Sequence, residues 1–137
     1  MSKKISDKYE PQMRQILKHY VNNGIISEEV FKPRTCDRNF ISLARAVNYK
    51  NQPMAQLAVA EQSTYNNIPN TSAASIGVCA ITQLEFHSVH SALDVYESPS
   101  PNIPNHSKVD FSKITNEDDV IFELSEMAAG NVIIKNW

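Results

Sequence analysis

Arg34, Asp37, Arg38 and Ser42 form the densest polar group in the chain. A guanidinium pairs phosphates bidentately. An Arg with a Ser on a neighbouring element is one way an ADP-ribosyl-transfer site holds its dinucleotide. Such a site also needs a later Glu or Gln for the ribose, and Glu85 or Glu97 fits. The same residues have a plainer use, with Asp37 capping a turn and pairing with Arg34. His106 follows Pro104-Asn105, where a stiff loop would hold an imidazole for catalysis or recognition. It also fits the start of a strand, its ring bonded to a loop carbonyl.

The remaining reactive groups are thinner. His87 and His90 stand three apart behind Glu85. They lack the i, i+4 spacing of a zinc-protease helix and read as surface histidines at a turn. Cys36 and Cys79, 43 apart, read as reduced thiols, Cys79 buried and Cys36 the more reactive in a polar loop between arginines. No paired ligand spacing marks a metal site. With Gly24, Gly77 and Gly130 the only glycines, a glycine-rich phosphate loop is excluded. No metal or cofactor is expected.

Three blocks recur in order: Phe31-Lys32-Pro33-Arg34 with Asp37 and Ile41-Ser42-Leu43; Gly77-Val78-Cys79-Ala80-Ile81-Thr82; and Ser98-Pro99 with Pro104-Asn105-His106-Ser107-Lys108-Val109-Asp110-Phe111. This order resembles that of small uncharacterised bacterial proteins with a proline-flanked arginine, a buried middle strand and a proline-loop histidine. The likeness covers about residues 29–111. It carries no catalytic role over, and singles out Arg34, Asp37, Ser42 and His106 as a set to test together.

The elements that must position these residues follow from periodicity. Tyr9, Met13, Ile16, Leu17, Tyr20 and Val21 recur at helical spacing, predicting a first helix closed by Asn22-Asn23-Gly24. Ser27 fits the cap of a single turn or the start of an extended stretch, and 40–47 a strand or short helix. Gln52-Pro53 opens a second helix to about Tyr65. Residues 75–82 read as a buried strand, in which Gly77 signals a bulge or close backbone approach. Strands are also expected at 92–97, 106–111 and 132–134, with one turn of helix near 85–90 and a proline-rich loop over 98–105. Thr115 or Asn116 caps a third helix, stopped by Gly130. Its stripe is Val120, Ile121, Leu124, Met127 and Ala128. The whole predicts one α+β domain over 1–137, about three helices on a sheet of three to five strands. Ile16, Leu17, Leu57, Val78, Ile81, Ile121 and Leu124 would form one core.

Composition bounds the function. The chain has 137 residues and net charge −2, divided into +5 over residues 1–50 and −7 over 51–137. No basic run exceeds two residues and the pI is near 6.1, unlike a typical nucleic-acid binder. The N-terminus lacks an apolar run after its charges, and no stretch reaches 18 apolar residues. A cytoplasmic bacterial protein with no leader and no membrane span is therefore expected. Size and charge asymmetry favour an accessory protein of the immunity, antitoxin or anti-defence type that docks to a protein, with Trp137 a further contact candidate. The alternative is a small enzyme or nucleotide-binding domain built on Arg34, Asp37, Ser42 and His106.

Overall fold

The computed structural model describes residues 3–33, 39–45, 75–99, 101, 105–135 and 137. Their strands are β1 (Pro11–Leu17), β2 (Val21–Asn22), β3 (Ile25–Ile26), β4 (Phe40–Arg45), β5 (Ser75–Thr82), β6 (Val95–Glu97), β7 (His106–Asp110) and β8 (Val132–Lys135). The α-helices are α1 (Gln83–Val89) and α2 (Glu117–Gly130), and two 3-10 turns span Lys18–Tyr20 and Glu28–Phe31. Six strands make one sheet in the order β6-β7-β4-β1-β5-β8, and β2-β3 is a separate hairpin. Every pairing is antiparallel.

The expectation of about three helices on three to five strands is therefore overturned. The described residues are mainly sheet, with two α-helices. The main error is the first element. Tyr9 to Val21 is not a helix but strand β1 followed by a 3-10 turn and the hairpin. β1 lies at the centre of the sheet, between β4 and β5. Both its faces are covered, so burial comes in doublets: Gln12 and Met13, then Gln15 and Ile16. Doublets three residues apart imitate a helical stripe, although a strand alternates its side chains. Gln12 and Gln15, which a helix would have left in solvent, are both buried. Asn23-Gly24 does not cap a helix. Both residues take positive φ, +53° and +78°, in the two-residue loop of the hairpin, as such loops require.

Other elements agree with the sequence. β4 resolves 40–45 of the ambiguous 40–47 as a strand, residues 46 and 47 lying outside the described residues, and β5 spans the expected 75–82. Ser27 caps its 3-10 turn, its Oγ accepting from the Glu29 N–H at 3.2 Å. Gly77 lies against both a register shift and a close approach. A Cβ there would meet the Trp137 ring and stand 2.8 Å from the Ile134 carbonyl. α1 is a full helix, set by a capping box in which the Thr82 hydroxyl accepts from the Glu85 N–H and Glu85 accepts from the Thr82 N–H. α2 follows Asn116, which holds the N-cap position without a side-chain capping bond, and ends at Gly130 as expected. The predicted second helix lies outside the described residues.

Paired residues share a sheet face. One face carries Ile16, Ile41, Leu43, Cys79, Ile81, Val95 and Val109, which join Phe31, Phe86, Leu93, Val120, Ile121 and Leu124 in the main core. Met13, Ala44 and Val78 form a second, smaller cluster on the opposite face. The predicted single core thus splits. Ile16, Ile81, Ile121 and Leu124 are in the main core, Val78 in the other, and Leu17 is half-buried. Leu57 lies outside the described residues.

Candidate functional site

Of the predicted site residues, Arg34 and Asp37 lie outside the described residues, as do Arg38 and Cys36. Ser42 and His106 are brought to one sheet face. Ser42 pairs with Lys108 and Ala44 with His106, so Ser42 and His106 are diagonal neighbours across β4 and β7. The His106 Nδ1–H donates to the Ser98 carbonyl at 3.0 Å, the loop-carbonyl bond that its sequence position also allowed. Burial lowers the pKa of this imidazole. The Ser98 bond opposes that shift and the charge of Lys108 adds to it. His106 is therefore an anchored ring biased toward its neutral form.

Trp137 packs its ring over Gly77 at the edge of the main core, with the Lys135 ammonium 5.5 Å from the ring centre. His87 bonds Asp94 at 3.0 Å, and His90 Nδ1 accepts from the Ala92 N–H. Among the described residues no three His, Cys, Asp or Glu side chains gather as a metal site. Cys79 is buried and its thiol is pushed up to about 12, mainly by burial, with the charge of Arg14 opposing. That thiol is not a nucleophile at neutral pH.

Sequence reasoning missed the strongest polar cluster. The Arg45 guanidinium grips the Glu10 carboxylate through two bonds of 2.7 and 2.8 Å and donates to Glu97 at 2.6 Å. Gln12 Nε2 donates to Glu10 at 2.7 Å, and the Ser107 hydroxyl donates to Gln12 at 2.6 Å. These pairings raise the Arg45 pKa further, the Glu10 hydrogen bond most. The cluster ties together the start of β1 and the ends of β4 and β6. Its groups satisfy one another, which suits a structural knot. Residues 35 apart in sequence gave no signal of the contact.

The solvent face of α2 is different. Glu117, Asp118, Asp119, Glu123 and Glu126 are all exposed, and among the described residues none of them enters an ion pair. Phe122 stands among them, 50% exposed, with carboxylates at i−4, i−3, i+1 and i+4. The hairpin strand β3 packs beside α2, and its Ile25 is 72% exposed. The first three acids suit the helix N-terminus. Glu123 and Glu126 do not. Asp119 and Glu123 are like charges at i, i+4, and the last turn carries no basic residue. Comparison with protein-family models, curated proteins and solved structures found no match to this chain. A sequence signal did exist for this face, an aromatic off the apolar stripe and ringed by acids.

Proposed function

We propose that the chain acts by docking to a protein partner through the solvent face of α2, as an accessory factor of the immunity, antitoxin or anti-defence type. One observation carries the reading: four carboxylates, without ion pairs among the described residues, surround a half-exposed Phe122. Exposed aromatics are favoured anchors in interfaces, and charges at the rim steer association. A basic partner surface complements this face. The test compares proteins captured by the wild-type chain, by Phe122→Ala and by Glu123→Gln/Glu126→Gln, at low and high salt. The reading expects one and the same species to be retained by wild type, released by salt and lost from both variants. Equal retention by all three chains contradicts it.

A second reading, a small enzyme or nucleotide-binding domain, has one observation in its favour: Ser42 and His106 share a sheet face. Titration with NAD followed by NMR tests it. Shifts confined to this face and abolished by His106→Ala would support it, and an unchanged spectrum would remove it.

A further inference from the structure

The edge of the sheet at β6 is covered by the chain's own N-terminal residues. Ile5 N–H donates to the Val95 carbonyl at 2.9 Å and Glu97 N–H to the Lys3 carbonyl at 2.7 Å, with Lys4 opposite Tyr96. An antiparallel hydrogen-bonded pair exchanges two bonds. Here one of the two is diverted at Ile5 and Val95. The Gln83 carboxamide stands in its place, accepting from the Val95 N–H at 3.1 Å and donating to the Ile5 carbonyl at 2.9 Å. The strap has a single side chain in the main core, Ile5. Lys3 and Lys4 are exposed, and in the Lys4–Asp94 ion pair the Lys4 side is open to solvent. Residues 6–9, which join the strap to the buried Glu10, are exposed too. Segments with few buried contacts open locally at much lower cost than global unfolding.

We propose that residues 3–5 are an exchangeable strand, and that the occupant of a vacated β6 edge is the same segment of a second copy of this chain. The fit is already on the page. The register of Lys3, Lys4 and Ile5, the burial of Ile5 and the Gln83 bridge are complementary to this edge whichever copy supplies them. Reciprocal exchange of an identical element is an economical route to a closed dimer. The interface lies apart from α2 and does not depend on the docking reading.

The test uses the full chain with Cys36→Ser throughout. Lys3→Cys and Glu97→Cys are placed on separate copies, mixed over a range of concentrations and oxidised. The single chain carrying both changes is the control for geometry. Lys4→Cys with Tyr96→Cys provides a second pair should the first fail to fold. The proposal expects the control to close within one chain. It also expects the mixture to give a disulfide-linked heterodimer whose yield rises with concentration and exceeds both homodimers. A closing control with no heterodimer overturns exchange, as do homodimers in equal yield. A control that does not close overturns the strap pairing itself.

Discussion

Arg45 holds Glu10 through two parallel hydrogen bonds at the point where β4 ends beside the start of β1. Glu10 is 6% exposed, so removing its partner leaves a buried charge with the Gln12 amide as its side-chain donor among the described residues. Arg45→Met is expected to cost about 3–5 kcal/mol, as when one member of a buried pair is deleted. Glu97→Ala removes the more exposed partner and should cost under about 1 kcal/mol. Urea titrations of both variants check the order. Equal losses would show that Arg45 acts through packing.

Leu124 is fully buried on α2, between the helix and the main core. Leu124→Ala should cost about 2–5 kcal/mol in the same titration, the range for a cavity in a packed core. A loss below about half a kilocalorie would make α2 peripheral.

At Gly77 a methyl group would meet the Trp137 ring and the Ile134 carbonyl. Gly77→Ala should therefore destabilise by about 1–3 kcal/mol, the usual cost of overpacking. Combining it with Trp137→Ala should give a loss smaller than the sum of the two, because the residues share one contact. Strict additivity would place the strain at the Ile134 carbonyl alone.

Much of this fold could be read from the sequence wherever one element meets one neighbour. β5 announced itself by its apolar run, and α2 by its stripe, its acidic first turn and Gly130. β1 was unreadable because it is a central strand: β4 and β5, from distant parts of the chain, pair along its two edges, and both of its faces carry buried residues. Thr82-Gln83-Leu84-Glu85 carries a capping box in the sequence itself, and the helix it starts runs over seven residues, longer than the single turn expected. At the site, Ser42 and His106 share a face through a strand register that periodicity does not fix. The Arg45–Glu10 contact depends on a different register, that of β1 on β4. The α2 face lay in plain view, since acids and one aromatic dominate its outer side.

Cys79 offers a pH signature. Its folded thiol is pushed up to about 12, while an unfolded thiol ionises near 8.5. The folded state thus binds more protons across that window. The contribution is complete below about pH 8.5 and is lost as pH rises toward 12. Wild type should lose stability more steeply than Cys79→Ala between pH 9 and about 10.5, followed by denaturant midpoints. Parallel curves would mean that the thiol is not protected. Iodoacetamide should likewise leave Cys79 unmodified in the native chain and modify it in urea.

The most direct test of the docking face needs no partner. Glu123 and Glu126 form, with Asp119, a run of like charges on a helix whose last turn has no basic residue. Carboxylates kept there against helix stability are expected of a surface shaped for recognition. Neutralising them in Glu123→Gln/Glu126→Gln should relieve about 0.5–1 kcal/mol of repulsion and unfavourable dipole contact. The measurement is the thermal midpoint of that variant against wild type in low salt. A rise of about 2–4 °C, shrinking as salt is added, is predicted. A fall in the midpoint would show that these carboxylates stabilise the folded chain, and would contradict the docking account.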